Sequence, residues 1–305
     1  MVKKTVIIAF TACLIVSLVV FLRATDLTMV SRLIGMTGYK FLLLLLTTFV
    51  AYLFGTYSWQ YALGEYAKCV STGRLFLIRH VGETVGMFNP TSVLGGDAFK
   101  AMMLGSYEIP GKRIVWSMLF SRGIMVVSQL LLLGAMCLAT LIHHPLSWPN
   151  ESQHVKKSGL YPFLLTGWKS MRLKFSEGLQ ELPMMLRENK RMLVISCFFA
   201  LLHWVFGGLE FYLILKFLGL KVSVAQALMV DLGVVLFKAA GAFIPGQLGI
   251  EEYGNKIMLM IIGIQGEEIW VTASILRRAR QLFWIAFAIG VYLLMFKKKP
   301  SEVDC

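Results

Sequence analysis

An all-α, polytopic membrane bundle is the fold class this sequence predicts, and three observations predict it. Of the 305 residues, 57% are apolar and 15% charged, with a mean hydropathy of +0.70. Soluble domains run near ~45–50% apolar and ~25% charged. Several apolar runs reach the ~20 residues that a spanning helix needs. Two more are apolar but interrupted by Pro, Gly and charge in corresponding places. This composition excludes a soluble enzyme, a disordered chain and a nucleic-acid binder. The net charge of +13 reads as the positive-inside bias of membrane loops. Residues 1–305 read as a single transmembrane domain.

The chain opens with Lys3-Lys4 and an apolar run over 5–22. The run is longer than a signal-peptide h-region and no A-x-A site follows, so it reads as an uncleaved opening span within 1–38. Thr11-Ala12-Cys13 is a weak lipoprotein box, because the apolar run continues past Cys13. The first half, 39–142, holds clear runs at 39–59 and 114–142. Between them, 81–104 is broken by Asn89-Pro90, Gly95-Gly96 and Asp97. A basic connector, 143–191, leads to the second half, 192–296. Its clear runs are 192–218 and 270–296, with 224–264 broken at Pro245-Gly246-Gln247-Leu248-Gly249. Segments 60–80 and 160–190 mix Leu, Phe, Met and Trp with Lys and Arg, and read as interfacial helices. The tail, 297–305, begins with three lysines.

The halves match in spacing. From span start to proline is 51 residues in one and 53 in the other. Asp97 precedes Arg122 by 25 residues, and Glu251 and Glu252 precede Arg277 by 26 and 25. This is an internal repeat offset by about 155 residues. Corresponding interrupted segments in two halves point to a transporter-type binding site, since irregular backbone at membrane depth survives only inside protein or against a wet cavity. Loop charge puts both termini and the basic connector in the cytosol of a bacterial inner membrane. That choice makes the first broken segment cross while the second enters and returns. A true inverted repeat instead requires both to behave alike, which conflicts with this assignment.

Charges inside apolar runs are costly and are candidate functional groups. Glu210 lies deep in the fourth clear run. Asp231 and Lys238, seven apart, share a helix face; the bland alternative is a fixed buried pair between Lys238 and one of these two acids. The break at Pro245, Gly246 and Gly249 ends one helix and starts another, whose free N–H groups suit an anion such as a lipid phosphate. Asn89, Gly96, Asp97 and Lys100 repeat the device. Both breaks also read as simple kinks. Arg277, Arg278 and Arg280 open the last run as a basic cluster, or else snorkel. His203, alone on an apolar run, reads as a hydrogen-bonded core residue. Five scattered cysteines without C-x-x-C, and no H-E-x-x-H, point away from a disulfide framework, a metal site or a cofactor. No nucleophile stands beside a base, so no enzyme is expected.

At the two breaks the sequence resembles the flippase-like transmembrane domain of the lysylphosphatidylglycerol synthase superfamily. The family's Pro…Gly-acid-x-x-Arg motif is matched by Pro90, Gly96, Asp97 and Lys100, with Lys in place of Arg. Its Pro-Gly-Gly-x-Gly-x-x-Glu motif is matched by Pro245, Gly246, Gly249 and Glu252, with Gln247 in place of the middle Gly. Gly208-Leu209-Glu210, the run 237–240 and Leu276-Arg277-Arg278-Ala279-Arg280 look most like the branch associated with hopanoid biosynthesis. Many members carry Glu-Arg and a following acid where this chain has Ser121-Arg122 and Met125, which casts doubt on an Arg122 pair within its own helix. The soluble aminoacyl-transferase domain is not among these residues, so the resemblance implies translocation without synthesis.

The expected function is therefore a lipid transporter that moves an anionic phospholipid or an isoprenoid lipid between leaflets. Lys100, Lys238 and Arg277 would neutralise its phosphate, and Glu210, Asp97 and Glu252 would position it or couple to protons. The alternatives are a lipid-modifying transferase and a non-transporting partner of a lipid-synthesis complex.

Overall fold

The computed structural model describes residues 26–88, 93–143, 190–241 and 247–295, with residues 16, 19, 20 and 23 of the opening run. Asn89, Pro90, Pro245, Gly246, the connector 144–189 and the tail lie outside the described residues. Nine α-helices cover almost all of the rest, and no strand occurs among the described residues. A short helix α1 (Leu27–Thr37) is N-capped by Asp26, whose carboxylate accepts the Met29 N–H at 2.9 Å. The first half follows as α2 (Lys40–Ala62), α3 (Thr72–Phe88), α4 (Val93–Gly105) and α5 (Gly111–His143). The second half repeats it as α6 (Lys190–Phe217), α7 (Val224–Ala240), α8 (Ile250–Ile261) and α9 (Glu267–Met295). Long helix, two short helices, long helix: the same order occurs twice.

Three helices, Lys40–Ala62, Gly111–Ile142 and Lys190–Phe217, are long and apolar enough to cross a membrane. Their outward residues, such as Leu42, Leu46, Leu131, Leu138, Val194 and Phe198, are exposed and apolar, as lipid contact requires. The chain is a multi-pass membrane protein. α9 has 29 residues, about 43 Å at 1.5 Å per residue, but its arginines lower its hydropathy. They are turned inward.

The short helices form two antiparallel hairpins. A side chain at Gly82 would meet Lys100 and one at Gly96 would meet Gly86; in the second half Gly233, Gly241 and Gly254 lie against Met258, Ile250 and Phe237. Partners advance along one arm as they retreat along the other. At 12–17 residues, each arm reaches only about 18–26 Å, short of a ~30 Å hydrocarbon core. Gly96 is glycine because the backbones touch there: a Cβ would run into the Gly82 carbonyl. Phe88, at the end of one arm, shares a cluster with Leu248 at the start of the opposite hairpin's second arm, so the hairpin ends meet.

The halves are inverted relative to each other. α2 and its counterpart α6 pack along their length with Ser58 against Ser196 and Ala51 against His203, again in opposed directions. α9 runs against α3, His80 meeting Trp284 and Met87 meeting Gln281. Ala62, Gly111, Lys190 and Met295 therefore lie towards one face, and Lys40, His143, Phe217 and Glu267 towards the other. The sequence led to the expectation that the first broken segment crosses, whereas the arms of each hairpin run antiparallel, so each hairpin starts and ends on one side of the bundle. Inverted halves leave Lys190 and Met295 on one face, while the N-terminal lysines lie outside the described residues. His143 and Lys190 lie on opposite faces.

Of the described cysteines, Cys137 and Cys197 are free and Cys69 is disulfide-bonded.

Candidate functional site

Between the two hairpins lies a cavity of about 560 Å³, walled by α2 to α7, α9 and Gln247 at the second hairpin's end. Six cations line it, Arg79, Lys100, Arg122, Lys238, Arg277 and Arg280, against four carboxylates, Glu83, Asp97, Glu210 and Asp231. The lining thus has two more positive than negative groups. Glu251, just behind it, reduces the excess to one. Such an excess in a low-dielectric wall attracts an anion strongly. Met87, Met118, Met125, Val126, Trp204 and Val235 make the apolar remainder.

Each half holds its charges in a network. In the first, Arg79 Nε donates to Glu83 at 2.7 Å, one turn along α3. Lys100 sits 3.9 Å from Glu83 across the hairpin and 3.6 Å from Asp97 on its own arm. Arg122 closes the network with a bidentate pair, donating to both Asp97 oxygens at 2.9 and 2.7 Å. In the second half, Lys238 bonds Glu251 across the hairpin at 3.2 Å. Arg277 reaches Asp231 at 2.7 Å and Glu251 at 3.0 Å, and Arg278 bonds Glu252. Arg280 bonds Glu210 at 2.9 Å. The device is the same twice: an ion pair between the arms and another to the next long helix.

The acid-to-arginine spacing seen in the sequence thus corresponds to real contacts, Asp97 with Arg122, and Glu251 and Glu252 with Arg277 and Arg278. The Lys238–Asp231 pair does not form. Seven residues along a helix separate the two by about 10.5 Å, so they share a face without touching, and each finds its partner on another helix. Arg122 pairs across to the hairpin, which explains why it needs no acid on its own helix.

The networks differ in access. The Arg277, Asp231 and Glu251 side chains are only 6–8% exposed, and Asn255, fully buried, adds a contact to Arg277 at 3.4 Å. Arg122 is 41% exposed and Lys238 23%. A ligand meets those two first. Val126, which lines the cavity on α5, is 54% exposed.

The remaining expected residues are placed as follows. Gly249 takes a left-handed φ of 80° as N-cap of α8 and donates its N–H to Glu252 at 2.8 Å. Glu252 thus takes up one amide of that helix end, the one on Gly249. Gly96 lines the cavity and serves close packing. His203 bonds the Ala51 carbonyl at 2.7 Å, as a core histidine should, while also lining the cavity. Asn89, Pro245 and Gly246 lie outside the described residues.

Sequence reasoning missed Arg79 and Glu83, which sat at the edge of a stretch read as interfacial; their i,i+4 spacing was the available signal. It chose Glu252 as the motif acid, whereas Glu251 is the buried one. It noted Gln247 only as a departure from the motif's middle Gly; the residue stands at φ 53°, a conformation that glycine adopts without cost. Its side-chain amide donates to the Lys238 carbonyl at 3.5 Å, tying the hairpin's ends together.

A family model described as the lysylphosphatidylglycerol synthase TM region matches residues 5–290. No curated protein and no solved structure matches the chain.

Proposed function

This chain belongs to the lysylphosphatidylglycerol synthase transmembrane-region family, with a membrane-lipid-associated role, and from that premise we propose that it moves an anionic phospholipid or isoprenoid phosphate between leaflets without modifying it. The observation that carries this reading is the cationic cavity between two opposed hairpin ends, with the exposed apolar Val126 in its wall. A phosphate entering there meets Arg122 first, then Lys238 and Lys100. Acyl or isoprenyl chains lie against Met118, Met125, Val126 and Val235 and trail into the bilayer. Charge-assisted hydrogen bonds to phosphate are the strong kind, so the ligand competes with Asp97 for Arg122 and with Glu251 for Lys238. The first competition loosens the bond that holds the first hairpin to α5, and the second loosens a bond between the two arms of the second hairpin. Because the hairpins enter from opposite faces, loosening one and then the other exposes the cavity to each leaflet in turn.

The face holding Lys190, Arg191 and Met295 also holds Lys112 and Arg113, the latter paired with Glu65 at 3.1 Å. Three lysines follow in the tail. We assign that face to the cytosol of a bacterial inner membrane, with the C-terminus on it and the N-terminal lysines beside it.

The test is purified protein in liposomes with a fluorescent anionic lipid, its leaflet distribution read by a membrane-impermeant quencher. Wild-type protein should accelerate the exchange, and Arg122→Met and Lys238→Met should each slow it. Well-folded protein that accelerates no anionic lipid would remove the reading. Mass spectrometry of cellular lipids with and without the protein separates movement from chemistry, since a new covalent species would mark a transferase.

A further inference from the structure

One carboxylate in the cavity wall is bound differently from the rest. Glu210 lies on α6, its side chain 4% exposed, and lines the cavity. One oxygen, Oε2, pairs with Arg280 at 2.9 Å. The other, Oε1, is buried with no hydrogen-bond partner, and so is Nε of the same Arg280. An ionised carboxylate has about four acceptor sites, and leaving an oxygen unmet in a buried place is costly. Asp97, by contrast, has both oxygens filled by Arg122.

The groups around Glu210 come from every element packed on α6. α9 brings Arg280 and Arg277, α7 brings Asp231, and α8 brings Glu251. α2 brings Tyr52, which senses both Glu210 and Arg280. α5 brings Leu133, Met136 and Cys137 to the adjoining Phe211 cluster. On α6 itself, His203 stands two turns earlier on the same cavity wall. Counting the second-half network alone, Arg277, Arg280 and Lys238 balance Glu210, Asp231 and Glu251. A proton on Glu210 breaks that balance by one positive charge and releases Arg280, whose guanidinium already lines the cavity.

We propose that Glu210 is a proton-binding site coupled to the anionic ligand: the anion binds Arg280 when Glu210 takes up a proton, and leaves when Glu210 gives the proton back to water and its carboxylate pairs with Arg280 again. The inference rests on the proposed lipid-translocating function and supplies its driving force. The step balances. One proton moves from water to a Glu210 oxygen, one monoanionic headgroup takes the place of that carboxylate at Arg280, and the site's net charge is the same before and after. Movement is then electroneutral, driven by a pH gradient and insensitive to membrane potential.

Two measurements test it. In liposomes with a fluorescent phosphatidylglycerol, an imposed pH gradient should bias the leaflet distribution by up to about tenfold per pH unit, and a potassium diffusion potential should not. Glu210→Gln should bring that bias to none. In detergent, wild-type protein titrated with short-chain phosphatidylglycerol in two buffers of different ionisation enthalpy should take up about one proton per lipid bound. The charge-balanced pair Glu210→Gln with Arg280→Met keeps the test open if the single variant misfolds, and should take up none. Lipid movement in wild type with no pH bias, or a bias retained in Glu210→Gln, overturns the proton site and leaves the translocation reading standing. Lipid binding without proton uptake overturns it even where no movement is seen. Absence of both movement and binding would instead overturn the translocation reading, and the proton site with it.

Discussion

Replacing Arg277 by Met removes the centre of the second-half network while keeping most of the side chain's volume. The guanidinium is 6% exposed and serves Asp231 at 2.7 Å and Glu251 at 3.0 Å, with its face 5.1 Å from the Phe211 ring. After the change Glu251 keeps Lys238 at 3.2 Å. Asp231 keeps no other cation within ion-pair distance among the described residues, and it is 4% exposed. Stranding one buried charge costs about 3–5 kcal/mol. Arg122→Met is the control. Its guanidinium is 41% exposed, and Asp97 retains Lys100 at 3.6 Å, so the loss should be about 0–1 kcal/mol. Unfolding in mixed micelles with rising sodium dodecyl sulfate, followed by circular dichroism, measures both. A double-mutant cycle of Arg277→Met with Asp231→Asn should show coupling of about 3–5 kcal/mol, because Asp231→Asn removes the charge that Arg277→Met strands. The cycle of Lys238→Met with Asp231→Asn should be additive within about 0.5 kcal/mol, since those side chains do not touch. Coupling between 238 and 231 with none between 277 and 231 would refute the network as drawn.

Other outcomes follow from the same geometry. Lys238→Met should unfold close to wild type, because Glu251 retains Arg277, and its defect should appear in anionic-lipid binding measured by native mass spectrometry. Gly96→Val should separate the arms of the first hairpin and lower folded yield, measured by size-exclusion chromatography, whereas the same change at Gly134, where nothing lies within 4 Å, should be tolerated. Gln247→Gly should relieve about 1 kcal/mol of left-handed backbone strain, offset by the lost bond to the Lys238 carbonyl; an unfolding midpoint raised or unchanged agrees, and a fall of several kcal/mol would show that the side-chain bond dominates. Single cysteines at Ile142 and Lys190 should label from opposite faces of sealed vesicles with a membrane-impermeant maleimide, and labelling from the same face would overturn the inverted arrangement.

Much of this protein was determined by its sequence alone. Apolar runs of more than twenty residues have no stable home but a bilayer, so the all-α membrane class follows from hydrophobicity. The breaks, and the 25-residue separation of acid from arginine in each half, were legible because a repeat preserves spacing whatever the packing. That Asp97 belongs with Arg122, and Glu251 and Glu252 with the arginines of α9, could be read from that spacing as a correspondence, though not as contacts. Tertiary structure decided the rest. Whether a broken segment crosses or returns depends on which arm its glycines meet, and nothing in the order of residues distinguishes Gly96 packing on Gly86 from Gly96 facing lipid. Asp231 and Lys238 share a face at seven-residue spacing, yet their partners arrive from other helices, because a side chain pairs across a few ångströms and not along two helical turns. The choice between Glu251 and Glu252 is a matter of 100° of helix rotation, settled only by where α9 lies. The cavity's positive excess is likewise a sum over seven helices, and it comes into being only when they are brought together.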